Sequence, residues 1–246
     1  MRGNFAFLIF AAVSTSLGAS LARAGITQRV SVSSTGVQGN GKSNTCDMSA
    51  DGRLVVFDSG ASSLVTGDSN GAWDTFVHDR NSHMTERVSV SMAGGQTNGG
   101  SGEPTISGDG RFVAFQSFAN NLVPGDTNGK MDIFVRDGLA GTTERVSVSS
   151  DGGQANDLSE HATISADGRY VAFLSSATNL VAGGTNGRYH AFVRDRLAGT
   201  TECVSVSSAG EQGNNDAIPG GGWGGCPPAS ALTDDMWPSS LWPVTW

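Results

Sequence analysis

"GDTNGKMDIFVRD", at residues 125–137, decides the fold because the chain contains this stretch three times. The other copies are "GDSNGAWDTFVHD" at 67–79 and "GGTNGRYHAFVRD" at 183–195. Each copy begins 58 residues after the one before it, with no insertion or deletion. Self-similarity at a fixed period of this size is typical of repeat architectures. The sequence therefore predicts several modules of one design.

Three further motifs keep the same period. An S-x-D-G-R motif begins at residues 49, 107 and 165. A looser G-x-Q-x-N motif begins at Gly36, Gly94, Gly152 and Gly210. The third motif reads "QRVSVSS" at 28–34, "ERVSVSM" at 86–92, "ERVSVSS" at 144–150 and "ECVSVSS" at 202–208.

One repeat is interpreted as four β-strands. In the third repeat, "HATIS" (161–165) and "RYVAFLS" (169–175) flank Asp167-Gly168, a pair typical of a type I′ hairpin turn with positive φ at both residues. The second strand is apolar on both faces, which predicts burial on both faces. A long loop leads to "HAFVRD" (190–195). The fourth strand, "ECVSVSS" (202–208), alternates Val and Ser, as a half-exposed outer strand does.

This order, from a short inner strand to a half-exposed outer one, predicts a blade of a β-propeller. A β-sandwich is the alternative, but it gives no reason for a constant period. We therefore predict an all-β propeller with three full four-stranded blades, fewer than the usual four to eight, and hence an incomplete propeller. The blades cover about 44–92, 102–150 and 160–208, and residues 28–34 form an N-terminal outer strand.

The repeats resemble those of the TolB-type β-propellers, which have WD-like repeats. In that pattern S-x-D-G-[RK] precedes an apolar strand ending in Ala-Phe, and D-[IL]-[FY]-x-x-D follows a loop. This chain has "SGDGR" at 107–111, Ala114-Phe115 and "DIFVRD" at 132–137. The resemblance covers about 28–216 and implies an exported propeller that acts through protein–protein contacts.

The two ends of the chain differ from the repeats. Residues 1–24 have a short positive n-region, an apolar stretch and the A-x-A site Ala22–Ala24, which predict a cleaved signal peptide. The repeats then occupy 25–216. From 217 to 246 Trp and Pro become frequent and the motifs stop, so we expect a divergent, disordered tail or a truncated end. The protein is expected to be periplasmic or secreted.

The net charge of the chain excludes some classes of binding partner. Its formal net charge is −8 at pH 7. A nucleic-acid-binding surface needs a basic face, so we expect no nucleic acid partner. No long apolar run follows the signal peptide, so we expect no membrane insertion after cleavage.

The repeated loop offers oxygen ligands that calcium prefers. The alternative is structural, since Asp and Asn close turns and Gly supplies positive φ. In the third copy Gly184 and His190 replace both Asp residues together, which fits either a shared ligand or one coupled hydrogen-bond network. The protein requires no cofactor in this interpretation, and calcium stays open as a ligand. The candidate ligands are Asp68, Asn70, Asp74, Asp126, Asn128 and Asp132.

A second group of polar residues breaks the repeat near the first strands. Asp47, Glu103, Glu160 and His161 are candidates for a ligand-facing set at the inner rim. No acid–base–nucleophile set recurs, so we expect a non-catalytic propeller that binds an unknown protein or acts as a scaffold. The alternatives are a propeller-type carbohydrate-active enzyme (a hydrolase or lyase) and a calcium-binding envelope protein. An open sheet edge predicts self-association.

Overall fold

A computed structural model describes residues 27–213. The predicted signal peptide at 1–24 and the predicted tail at 217–246 therefore lie outside the described residues. The described part contains twelve β-strands and no helix. It accordingly has no helix that is long and apolar enough to cross a membrane.

The strands form three four-stranded antiparallel sheets, each a meander in chain order. The first sheet consists of β1 (Ser43–Met48), β2 (Leu54–Ser59), β3 (Asp74–Asp79) and β4 (Thr85–Arg87). The second consists of β5 (Ser101–Ile106), β6 (Phe112–Ser117), β7 (Asp132–Asp137) and β8 (Thr142–Arg145). The third consists of β9 (Ser159–Ile164), β10 (Tyr170–Ser175), β11 (His190–Asp195) and β12 (Thr200–Cys203).

The sheets pack on one another as propeller blades do. The first strand of the second sheet, β5, contacts β1, β2 and β3, and β9 contacts β5, β6 and β7 in the same way. Each blade thus covers one face of the blade before it with its innermost strand. Within residues 27–213, the prediction of an all-β fold with three four-stranded propeller blades is confirmed, and three blades are consistent with an incomplete propeller.

The hydrophobic core lies between the blades. Between blades two and three, Ala114 and Val135 of one sheet pack with Ile164 and Phe173 of the next. Within each blade two Phe rings stack across the second and third strands, as Phe115 and Phe134 do at 6.0 Å. In blades one and two the second strands are therefore buried on both faces over most of their length, as the apolar pattern predicts. In blade three the prediction is wrong for one face, because Ala172 and Leu174 of β10 are only partly buried where no described blade covers them.

The turn between the first and second strands differs from the prediction. Gly168 has φ +72°, but Asp167 does not have positive φ, so the turn is not type I′. Instead the amide of Gly168 donates to the carbonyl of Ser165, and the Asp167 carboxylate accepts from the Ser165 hydroxyl. This is a turn closed by an Asp side chain and followed by a left-handed Gly.

The S-x-D-G-R motif also places an Arg for a salt bridge across the sheet. Arg111 donates through Nε and Nη2 to the Asp137 carboxylate, with a shortest distance of 2.7 Å. These hydrogen bonds from Arg111 lower the pKa of Asp137 to about 2. Asp137 also accepts from the amides of Leu139 and Ala140, so one carboxylate fixes the following turn.

The predicted outer strand is wrong in its second half. Blade two's last strand ends at Arg145, and the segment after it leaves the sheet. Ser147, predicted to face water, is completely buried, and Val146 is 1% exposed because blade three covers it. In blade three the corresponding Val204 is 48% exposed.

The N-terminal segment 28–34 is also not the predicted strand. Its only ladder contact within the described residues is a bridge from Val32 to Gln38. The segment instead docks on blade one, where the Thr85 hydroxyl donates to the Val32 carbonyl and the Thr85 amide donates to the Ser34 hydroxyl at 2.9 Å. Thr201 contacts Val148 and Ser150 in the same way, so residues 28–34 take the place of a preceding blade's outer segment.

The blade interface predicts a difference between two glycines. A Cβ on Gly168 would overlap the ring of Phe112 in the preceding blade, whereas a Cβ on Gly152 meets nothing within 4 Å. Both have positive φ. We expect Gly152→Ala to cost about 1 kcal/mol from backbone strain alone. We expect Gly168→Ala to cost roughly 2–4 kcal/mol, because overpacking adds to the strain. Urea unfolding of both variants tests this, and equal losses would contradict the interface.

Candidate functional site

Asp132 is at the centre of a buried polar network in blade two. Its side chain is completely buried. Oδ1 accepts from the Ser147 hydroxyl at 2.6 Å, and Oδ2 accepts from Asn128 Nδ2 at 3.0 Å and Gln154 Nε2 at 3.1 Å. Burial raises the pKa of Asp132, and these donors oppose that rise. The loop, the strand and the following connector are thus joined through one carboxylate.

Asp126 and Arg145 complete this network. Arg145 Nη1 lies 3.4 Å from Asp126 Oδ1 and 3.9 Å from Asp132 Oδ2. Gln154 Nε2 also donates to Asp126 at 2.9 Å, so the two carboxylates share one donor and lie beside one guanidinium. A buried guanidinium next to two carboxylates offsets part of the cost of burying charge.

Blade one repeats the arrangement. Asp74 accepts from Ser89 at 2.7 Å and from Thr97 and Asn70, and Arg87 Nη1 lies between Asp74 at 3.4 Å and Asp68 at 3.5 Å. Burial and the charge of Asp74 raise the pKa of Asp68. The network is therefore a property of the repeat.

Blade three builds similar contacts without the two carboxylates and the guanidinium. His190 replaces the central Asp, with Nδ1 2.9 Å from the Ser205 hydroxyl and Nε2 2.8 Å from Asn186 Oδ1. Gly184 replaces the second Asp, and its carbonyl accepts from Gln212 Nε2 at 2.8 Å. Cys203 stands where the other blades have Arg. Both Asp residues and the Arg are thus replaced together, which the coupled-network interpretation explains.

The six calcium candidates all lie in these networks. Their oxygens accept hydrogen bonds from amide, hydroxyl and guanidinium groups, and Asn70 and Asn128 donate to the Asp residues through Nδ2. Within residues 27–213 no group of three or more His, Cys, Asp or Glu side chains could hold a metal ion. The geometry favours the structural role, and calcium stays a hypothesis.

The residues of the blade-three network predict how the Asp–Arg network of blade two can be replaced. Asp132→His alone leaves Arg145 buried beside one carboxylate, and we expect a loss of about 3 kcal/mol in unfolding free energy. Adding Asp126→Gly and Arg145→Cys converts the network to the blade-three set. We expect this triple variant to recover at least ~1 kcal/mol relative to the single one. Chemical denaturation measures both, and a triple variant that is less stable than Asp132→His would contradict the coupling.

A calcium titration distinguishes the two roles of the loop. If Arg87 and Arg145 neutralise the carboxylates, we expect the Tm to stay the same with and without millimolar calcium. A bound ion would instead raise it in proportion to RT ln(1 + [L]/Kd). Differential scanning fluorimetry with EDTA as control measures this. A rise that Asp126→Ala removes would establish the calcium site.

A second polar cluster lies where the first strands of blades two and three meet. His161 Nδ1 lies 2.7 Å from Glu103 Oε2, and His161 Nε2 lies 3.8 Å from Glu160 Oε1. The three side chains are between 24% and 39% exposed. The structure thus brings together three of the four residues predicted to face a ligand. Asp47 is used differently, because its Oδ2 accepts from the Ile106 amide at 3.0 Å and joins blades one and two.

Unusual backbone conformation positions two of these side chains. Glu103 has φ +50° and His161 has φ +55°, the left-handed region that favours Gly. Both lie where the pairing of the first and second strands shifts register. Such strain costs of order 1–3 kcal/mol per residue and persists only where surrounding contacts hold it. The two bulges turn both side chains toward one another.

Sequence reasoning missed the residues behind these bulges. Gln116 Oε1 accepts from the His161 amide at 3.0 Å. Asp58, one period earlier, is 5% exposed, faces Gly102 and accepts from the Thr45 hydroxyl. Burial raises the pKa of Asp58. The signal was present in the repeat, because "VVFDS", "VAFQS" and "VAFLS" differ most at this position.

Comparison with solved structures finds weak similarity to propeller proteins. The putative TolB from Agrobacterium tumefaciens is 17% identical with a TM-score of 0.43, over 66% of this chain and 48% of that one. The β-propeller domain of the Trilobed protease from Pyrococcus furiosus is 12% identical with a TM-score of 0.41, over 66% and 42%. TolB from Acinetobacter baumannii is 14% identical with a TM-score of 0.29, over 70% and 45%.

The matched region spans less than half the length of each of these proteins. No protein-family model matches the sequence, and no curated protein matches it. The assignment of the fold rests on the sheet topology and the packing of the blades.

Proposed function

We propose that the chain is an exported, non-catalytic propeller that binds a protein partner through the rim formed by its first strands. One observation carries this proposal. The repeats keep the residues that build the blades, while one position in the first strand reads Thr45, Glu103 and His161 in turn. A surface that changes from blade to blade on a constant scaffold can recognise an asymmetric partner.

The chemistry of the rim supports a polar contact. Glu103, Glu160 and His161 keep part of their surface open to solvent while they contact one another. Fixed side chains lose little conformational entropy when a partner binds. Two carboxylates beside one His favour a partner that presents Lys or Arg side chains. The fold itself does not specify that partner.

The non-catalytic interpretation is supported by how the rim acids are used. Both Glu side chains contact the same His, and the nearby Asp58 is closed off by Thr45. Within the described residues we find no hydroxyl or thiol held by this His as a nucleophile. Export is supported by the apolar segment and A-x-A site in residues 1–24, which favour a periplasmic or secreted protein.

A carbohydrate-active propeller, either a hydrolase or a lyase, is the second candidate. The 2.7 Å contact between Glu103 and His161 favours it, because a carboxylate that orients a His is a common general-base arrangement. This candidate requires that a substrate reach the rim.

One set of variants distinguishes the protein-binding function from the carbohydrate-active enzyme. Glu103→Gln and Glu160→Gln change the rim, and Glu86→Gln, in an exposed position on an outer strand, is the control. We expect envelope proteins captured by the native chain to be retained by the control and lost with either rim variant. We expect no turnover on a panel of polysaccharides and esters. Turnover that the rim variants abolish would overturn the proposal in favour of the enzyme.

A further inference from the structure

The junction between blades two and three contains a specific polar contact. Arg196 Nε donates to Glu144 Oε1 at 2.6 Å. The Arg196 guanidinium carbon lies 4.3 Å from the centroid of the Phe112 ring, and its Nη1 donates to the Gly168 carbonyl. Gly168 itself lies against the Phe112 ring. Blade two therefore contributes an aromatic ring and a Glu, and blade three contributes an Arg and a Gly.

The two end blades carry the two halves of this contact. One period after Phe112 and Glu144, blade three has Tyr170 and Glu202. Two periods before Gly168 and Arg196, blade one has Gly52 and Arg80. The free face of blade three thus carries an aromatic ring and a Glu, and the free face of blade one carries the matching Gly and Arg.

The Arg80 side chain already has the conformation that Arg196 has at the junction between blades two and three. Its Nη1 donates to the Gly52 carbonyl at 2.7 Å, as that of Arg196 does to Gly168. Its Nε donates at 3.2 Å to Gln28, which occupies the repeat position of Glu144 and Glu202. Replacing the neutral Gln28 with a Glu would make this hydrogen bond charge-assisted and stronger.

The Val residues after the last strand of each blade and the hydrogen bonds between successive turns also indicate a further blade beside blade three. Val146 is 1% and Val148 is 8% exposed under blade three, whereas their counterparts Val204 and Val206 are 48% and 38% exposed. Successive turns are linked by the Ala50 amide to the Gly108 carbonyl at 2.9 Å and by the Gly108 amide to the Ala166 carbonyl at 2.8 Å. Continuing this ladder would join the amide of Ala166 to the carbonyl of Ala50.

We propose that blade three binds blade one of a second copy of this chain, and that two such contacts close a pair of chains into one ring. Two copies provide six blades, within the usual four to eight. Glu202 and Val204 of one copy then take the positions that Gln28 and Val30 hold on the other. The N-terminal segment 28–34 therefore competes with the second copy for the same place.

A charge exchange tests the proposed pair. Sedimentation equilibrium of the purified chain should give a species of twice the mass and none larger. We expect Arg80→Glu and Glu202→Arg each to weaken the pair at least tenfold, and the double variant to restore it. Glu86→Arg is the matched control, because Glu86 has the repeat position of Glu202, whereas the next blade has Gly138 at the repeat position of Arg196. It should leave the mass unchanged.

A second variant tests the competition without altering the end faces. Gln28→Glu strengthens the chain's own contact to Arg80, so we expect it to weaken self-association, and Gln28→Ala should strengthen it. A single cooperative unfolding transition in each variant would show that Arg80→Glu and the Gln28 variants remain folded. A monomer at all concentrations, an open series of larger species, or a double variant that fails to recover would each overturn the proposal.

Discussion

Burial of one sheet's face beneath the first strand of the next sheet is the interaction on which the structure depends. Ala114, Val135 and Val146 become inaccessible only because β9 and its neighbours cover them. At about 25 cal/mol per Å² of apolar surface, such contacts are the main stabilising term for each blade. The Arg–Asp pairs and the turn glycines add to this burial, because they fix the strand ends and turns at which neighbouring blades meet.

Much of this architecture could be predicted from the sequence because it depends on local pattern and period. The second strands of blades one and two, such as "VAFQS" at 113–117, are mostly apolar on both faces and mostly buried. The third strands of blades one and two begin and end where the D-x-F-V-x-D pattern begins and ends, and β11 begins at His190, which replaces the first Asp. The constant period also predicted the topology, because each four-stranded sheet is followed along the chain by another sheet with the same strand order.

The parts that could not be predicted depend on contacts between distant residues. The alternation in "ERVSVSS" predicted that Ser147 faces water. Ser147 is instead buried, and its hydroxyl donates a hydrogen bond to the buried Asp132 carboxylate. A hydrogen bond to a distant residue thus decides the orientation that the local pattern predicted wrongly. The only sign in the sequence that Arg145 lies beside two carboxylates is that Cys203 replaces this Arg in the repeat that also loses both Asp residues. Of the rim, Glu103, Glu160 and His161 were found because they break the repeat, whereas Asp58 was missed because a single change in a buried strand looks like ordinary variation.

The contact of Asp58 with Gly102 has a consequence for the order in which the blades assemble. A Cβ at Gly102 would lie 3.4 Å from Asp58 Oδ2, so an acidic side chain at this position would lie close to the Asp58 carboxylate. Blade three has Glu160 at that position. If the first strand of blade three instead of β5 covered this face of blade one during folding, Glu160 would lie against the buried Asp58, which like charges disfavour. The proposed pair of chains uses the opposite face of blade one. Near-identical repeats risk pairing with the wrong neighbour, and here a single acid helps the chain to reject the incorrect arrangement.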